Sequence, residues 1–387
     1  MTDYDAIVIG AGSVGNPTAF FLSKAGYKVL VLDKNASVGQ GQNKAAIGGV
    51  RATHADPAKI SLCRKSLDIF SSWGEKYGED IGWKKGGYCF PVYRDEEEHT
   101  LKEILPVQKE HGLNIDWVDK DAIAEAVPGI NKKGLVGGTL SPDDGQVSPL
   151  LFAESLNKQA EKDDVEFKFR AQVTGLEIDK GRITGVKTNT GTYKADVVVN
   201  ASGAFAKEIN AMAGIYTPIQ PDSHEAGISA PVKQFLDPLI VDLRPGPFGK
   251  TANFYFGQNH TGAFIFCYTP LEAFVGTDRR STSEFMPVIA RRLVDLIPRL
   301  KNLLIRRVWR GLYPMTPDGI GIVGSHPALE GWYMGVGMCG QGFMMGPGVG
   351  YELANLIKNG KPEMEESVFK RLSPTRDFQR STGEILQ

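Results

Sequence analysis

Apolar and polar positions alternate between two registers near the N-terminus. Residues 5–9, "DAIVI", and 28–33, "KVLVLD", hold the continuous apolar runs AIVI and VLVL, whereas residues 16–25 carry apolar side chains at helical spacing. Short continuous runs bounded by glycine read as strands buried on both faces, and strand, helix, strand in that order predicts a parallel βαβ unit. Between the first strand and the helix lies "GAGSVG", residues 10–15, and the second strand closes on a single acid, Asp33. Gly10 permits the tight turn, Gly12 lets the backbone approach a pyrophosphate, and Gly15 lets the helix pack on the strands. The N–H groups around Ser13 and Val14, with the helix dipole behind them, suit phosphate oxygens. Asp33 follows Gly10 by 23 positions, the place of a carboxylate that binds ribose hydroxyls. Lys34 follows it. An acid there disfavours a 2′-phosphate and leaves FAD or NAD as the dinucleotide.

The same reading extends along the chain. Residues 165–206 predict a β-meander with turns at "DKGR" and "NTGT", then an apolar strand over 196–200 that enters "ASG". Val173, Ala201 and Gly203 are its candidate cofactor contacts. Near the C-terminus a strand over 332–336 meets the glycine-rich loop "GMCGQGFMMGPG" and a helix over roughly 346–358, ended by Gly360 and Pro362. Between these blocks, residues 84–142 and 216–312 hold short strands such as "ANFYFGQ" and "GAFIFCY" and the amphipathic helix "EFMPVIARRLVDLIPRL". The expected organisation is a discontinuous nucleotide lobe (1–83, 143–215 and 313–387) with an antiparallel-sheet substrate lobe (84–142 and 216–312) inserted in two pieces.

Composition narrows the function classes. Forty-four Lys and Arg nearly balance 45 Asp and Glu, so no basic field marks a nucleic-acid partner. Four scattered cysteines offer no zinc or redox pair and predict a reducing, cytoplasmic setting. No apolar run approaches a membrane span.

These motifs in this order resemble the FAD-dependent D-amino acid oxidase superfamily, and within it the branch of sarcosine oxidase and dye-linked proline dehydrogenase. The resemblance rests on "GAGSVG" with Asp33, "NKAAIGGVR" ending at Arg51, "DDGQVSP" at 143–149, "VVVNASGAFA", "WRGLYPMTPDG" at 309–319 and "GMCGQGFMMGPGVGYELANLI". It implies an α/β fold: a Rossmann-like FAD-binding domain of the glutathione-reductase type plus an α+β substrate lobe. It also implies oxidation of a small secondary amino acid such as sarcosine or proline, with hydride passing to flavin N5 and the resulting imine hydrolysing. Oxidation of a hydroxy acid or glycerol phosphate, a noncatalytic flavin-binding subunit and a nicotinamide-dependent dehydrogenase are the competing readings. The electron acceptor is oxygen, a quinone or a partner subunit, in a homo- or hetero-oligomer.

Carried onto this sequence, the resemblance gives Arg51 the substrate carboxylate, a task that fits its planar fork of donors. Ala46, Ile47 and Gly48 bring backbone near the ring. Gly340, Gln341, Gly342, Phe343 and Met344 lie beneath the pyrimidine end, where backbone N–H groups stabilise charge on the reduced ring. Gly311 stands where relatives tether flavin through cysteine, so FAD is expected to be noncovalent. Ile265 replaces an oxygen-activating lysine, which points to a dehydrogenase. Tyr313 replaces the arginine of glycine oxidase and D-amino acid oxidase. Tyr255 and Tyr268 are candidate pocket residues that orient the amine, His260 is a solvated turn residue, and Cys339 is an inert buried thiol. No general base is evident, so the amine is expected to bind neutral.

Overall fold

The computed structural model describes residues 3–246 and 251–379. Residues 1–2, 247–250 and 380–387, which fall inside the expected lobes, lie outside them. The N-terminal runs form strands Ala6–Ile9 and Val29–Asp33 around helix Gly15–Lys24, and every residue of both strands is buried. They are central strands of a six-stranded sheet, ordered Ile322–Ser325, Trp332–Val336, Val197–Asn200, Ala6–Ile9, Val29–Asp33 and Glu166–Phe169. All pairs are parallel except the first. Burial on both faces explains why these strands read as continuous rather than alternating apolar runs.

Two local expectations need correction. Glu166–Phe169 does not belong to the meander but pairs with Val29–Asp33 at the sheet edge, leaving three strands, Val173–Asp179, Arg182–Thr188 and Gly191–Lys194, as a separate antiparallel sheet. The C-terminal helix spans Gly342–Asn359, so it starts four residues before the predicted position. Glycine and proline lower helix propensity in "GFMMGPGVG", but packing overrides it. A Cβ on Gly346 would lie 1.9 Å from the Ser13 carbonyl oxygen, and one on Gly350 2.6 Å from the Thr18 nitrogen. Residues four apart share a helix face, and this face lies on the first glycine turn and its helix. On another face, a Cβ on Gly348 would lie 2.2 Å from the Leu62 carbonyl oxygen of helix Pro57–Tyr77. The helix is glycine-rich because it is wedged between two others.

The second sheet has eight strands, ordered Ile305–Met315, Gln220–Pro231, Ala263–Pro270, Thr251–Gln258, Leu239–Asp242, Tyr88–Val92, Gly137–Ser141 and Asp116–Asp119. It is antiparallel apart from the pair Leu239–Asp242 and Tyr88–Val92. One face carries Phe254, Phe256, Phe264, Phe266 and Tyr268 against helix Phe285–Leu296, forming an apolar core. The other face looks onto a cavity. Among the described residues, no helix is long and apolar enough to cross a membrane, and all four cysteines are buried.

Candidate functional site

A cavity of about 700 Å³ runs from the first glycine turn to the open face of the eight-stranded sheet. At one end, Gly10 has φ +107°, and a Cβ there would lie 2.6 Å from the Ala201 carbonyl oxygen. Gly15 does not line the cavity: its missing Cβ would meet the Gly10 carbonyl oxygen at 1.8 Å, so its role is the close packing of the turn. Around Gly12, by contrast, a Cβ would meet nothing within 4 Å, which leaves room for a phosphate to reach the backbone. Gly12, Ser13 and Val14 line this end with Ala201 and Gly203.

Asp33, 9% exposed, stands beside the turn. Its Oδ2 accepts the Ala11 N–H at 2.8 Å and its Oδ1 accepts Asn35 N–H at 2.7 Å, so the carboxylate is fixed before any ligand arrives. Oδ1 also accepts the Asn35 side-chain amide at 2.8 Å, so Oδ2 is the oxygen that keeps a lone pair for a ribose hydroxyl. Lys34 and Val173 also line the cavity, and the Lys34 ammonium sits 3.2 Å from the Phe205 ring centroid.

The middle is formed by loop segments from distant parts of the chain. Ala46, Ile47 and Gly48 lie on one wall, with Gly311 on strand Ile305–Met315 nearby: a Cβ on Gly311 would lie 2.8 Å from the Ala45 Cβ. Gly340, Gln341, Gly342, Phe343 and Met344 line the opposite wall. The last three form the first helical turn rather than a loop, so their N–H groups are among those that a helix start leaves without internal partners. The Gln341 amide oxygen is buried without a hydrogen-bond partner, an acceptor suited to a ring N–H. Pyrophosphate turn, ribose acid, helix start and orphan amide oxygen together fit a flavin dinucleotide.

At the far wall are Arg51 and the eight-stranded sheet. Arg51 is 8% exposed, donates from Nη1 to the Thr53 carbonyl oxygen, and lies 5.8 Å from the Phe90 ring centroid. Tyr88, Phe90, Leu239 and Val241 line an apolar wall of the same cavity. Tyr255 reaches the cavity, but Tyr268, expected in the pocket, does not. In the hairpin register Tyr255 faces Cys267, while Tyr268 faces Phe254. Cross-strand partners share a face, so Cys267 and Thr269 line the cavity with Tyr255. Tyr268 instead stacks on Phe285 at 5.2 Å. His260 is exposed in its turn, and Ile265 lies on the cavity face of its strand without lining the cavity.

A polar chain that the sequence reading missed crosses this wall. The hydroxyls of Tyr255 and Tyr313 are 2.8 Å apart. Tyr313 stacks on His224 with ring centroids 3.9 Å apart, and His224 Nε2 lies 3.3 Å from Asp222 Oδ2. Asp222 and His224, two apart on strand Gln220–Pro231, both line the cavity. Burial works against the Asp222 charge, but the bond from His224, the charge that ring carries once protonated, and backbone hydrogen bonds at Ser223 and Phe274 together hold the carboxyl below its usual range. His224 Nδ1 is buried without a partner. An imidazole with one nitrogen on a carboxylate and a lone pair on the other is equipped to take a proton. Burial raises the Tyr255 and Tyr313 hydroxyls and pushes the Cys267 thiol up to about 12, so all three act as neutral groups. The signal available in the sequence was the i, i+2 pair of Asp222 and His224 on one strand.

Cys339 also lines the cavity. Its Sγ lies 3.1 Å from the Gly337 carbonyl oxygen and 3.2 Å from the Thr316 hydroxyl, and burial raises its pKa.

The comparisons agree with this architecture. Residues 5–356 match the family model described as FAD dependent oxidoreductase, DAO. The crystal structure of L-proline dehydrogenase from P. horikoshii superposes with a TM-score of 0.90 at 32% identity, covering 97% of this chain and 98% of that one. The sarcosine oxidase beta subunit of Rhizobium meliloti is 23% identical over 95% of this chain and 87% of its own length. Human mitochondrial dimethylglycine dehydrogenase is 24% identical over 93% of this chain, which spans only 43% of that protein.

Proposed function

Because the chain belongs to the FAD-dependent oxidoreductase (DAO) family, we propose that it oxidises the carbon–nitrogen bond of a small secondary α-amino acid, of the sarcosine or proline kind. The observation that carries this reading is the shared cavity: Arg51, an apolar wall and the His224–Asp222 pair line the same space as the dinucleotide turn. FAD, when bound noncovalently, supplies the acceptor for the hydride that leaves the substrate α-carbon.

The remaining work falls to the chain's own residues. Arg51 binds the substrate carboxylate through two parallel charge-assisted hydrogen bonds, fixing which face of the α-carbon meets the ring. Phe90, Leu239 and Val241 cover the aliphatic part and exclude water. His224 Nδ1 takes the ammonium proton while Asp222 steadies the resulting imidazolium, so that the amine reacts neutral with a lone pair to form the imine. The expectation of an amine that simply binds neutral is thereby replaced by a proton acceptor in the wall. Gly311 offers no nucleophile for a covalent flavin link, and Ile265 places no cation on the cavity face of its strand. The first favours noncovalent FAD, the second a dehydrogenase whose electrons go to an acceptor other than oxygen, and four buried cysteines with no C-x-x-C spacing fit a cytoplasmic setting.

Anaerobic mixing of the flavin-loaded protein with proline, sarcosine and N-methyl amino acids should bleach the flavin, whereas 2-hydroxy acids of the same shape should not. Air should then restore the colour slowly. Bleaching by a hydroxy acid or glycerol phosphate alone would transfer the chain to a C–O substrate, and no bleaching by any of them would support a noncatalytic subunit.

A further inference from the structure

The turn that carries Arg51 is held by a buried carboxylate, Asp144. Gly49–Val50 pairs antiparallel with Gly145–Gln146, Val50 opposite Gly145, so the residues just before Arg51 and just after Asp144 lie side by side. Asp144 turns back from this ladder, and its Oδ1 accepts the N–H of Ala52 at 2.9 Å. Its own carbonyl oxygen is fixed by the Gly87 N–H at 2.8 Å. The side chain is 2% exposed. Its Oδ2 is buried without a hydrogen-bond partner, and the groups whose charge or hydroxyl acts on the carboxyl are Arg51 on its turn, Tyr88 on strand Tyr88–Val92, Ser141 and Thr53. His54 on the same turn is also buried, as are Lys59 and Cys63 on helix Pro57–Tyr77.

We propose that Asp144 is a positioning residue that shares Arg51 with the substrate carboxylate, so that binding of a carboxylate drives a proton from solvent onto Asp144. The proposal rests on the role given to Arg51 above. In the free enzyme Asp144 is the anion beside that guanidinium. A bound substrate brings a second anion to the same cation in a site closed to water, and two like charges there disfavour each other's ionised form. One proton then moves from solvent to an Asp144 oxygen, and no bond to carbon forms or breaks. The protonated carboxyl still has a carbonyl oxygen to accept the Ala52 N–H, so the turn under Arg51 stays in place.

Burial has already lifted the Asp144 carboxyl to about 6, against the opposing pull of the Ala52 N–H and the Arg51 charge. A second carboxylate raises it further. Carboxylate affinity is therefore greatest below about pH 6, falls as pH rises between the free and bound values by up to about tenfold per unit, and levels off above the bound value.

The probe is tetrahydrofuran-2-carboxylate, which has the shape of proline, a carboxylate, no ionisable nitrogen and no C–N bond to oxidise. It is titrated into the flavin-loaded enzyme between about pH 5.5 and 8, by flavin absorbance and by calorimetry in two buffers of different ionisation enthalpy. The expected result is net proton uptake above pH 6 and a Kd that weakens about tenfold across the range. Asp144→Asn keeps an acceptor for Ala52, and it should abolish the uptake and flatten the Kd profile. Absence of uptake in the natural protein overturns the proposal even if that variant fails to fold. Uptake that persists in Asp144→Asn also overturns it and assigns the proton to another group. If the probe binds Arg51→Met as tightly as the natural protein, the carboxylate role of Arg51 fails first and takes this proposal with it.

Discussion

Replacing Arg51 with methionine should raise the half-saturating concentration of the amino-acid substrate by roughly 30- to 5,000-fold, since truncating one partner of a buried, hydrogen-bonded charge pair costs about 2–5 kcal/mol. Methionine keeps much of the buried length, and the contact with Phe90 is retained in kind. FAD content should be unchanged, because Arg51 stands at the sheet wall and not at the dinucleotide turn. Arg51→Lys should fall between the two, since a point charge replaces the planar fork. Steady-state kinetics beside the flavin-to-protein absorbance ratio separates the effects. Unchanged kinetics in both variants would remove Arg51 from the site.

The second large effect is expected far from the substrate. Gly346→Ala should release FAD and weaken its binding by about 5- to 150-fold, because the new methyl group must displace the Ser13 carbonyl oxygen, 1.9 Å from the position of its Cβ. Such overpacking moves backbone and typically costs about 1–3 kcal/mol. Here the backbone that moves is the phosphate turn itself. Gly74→Ala is the matched control: it too lies in a helix, but a Cβ there meets nothing nearer than the Glu79 carbonyl oxygen at 3.8 Å. It should bind FAD normally and be stabilised by up to about 1 kcal/mol. Equal flavin loss in both variants, measured by equilibrium dialysis, would show that the contact with Ser13 does not govern the result.

Much of this architecture was legible in the sequence where local pattern and tertiary role coincide. "AIVIGAGSVG" with Asp33 carries its strand, turn, helix start and ribose acid within about thirty residues, and nothing distant is needed to place them. Arg51 was legible only through resemblance, because its turn is positioned by Asp144 more than ninety residues later. The errors share a physical origin. Tyr255 and Tyr268 both sit on strands of one hairpin, yet the register puts them on opposite faces, and a shift of one residue exchanges the faces. His224 was overlooked because a histidine within a strand has no local mark of the cavity it faces. That face depends on Tyr313, 89 positions on, which stacks against it. The early start of helix Gly342–Asn359 was hidden by glycines whose purpose is contact with Ser13, Thr18 and Leu62. Long-range packing thus decides the details that propensity cannot.

The central claim is that glycine turns from the two ends of the chain meet to grip one flavin. The ratio of FAD to polypeptide in the purified protein, read from the visible flavin bands and the released cofactor after heat or acid, tests it most directly. The account predicts a yellow protein with close to one FAD per chain, all of it released into the supernatant. A colourless protein that takes up no added FAD, or flavin that stays with the precipitated polypeptide, would contradict it.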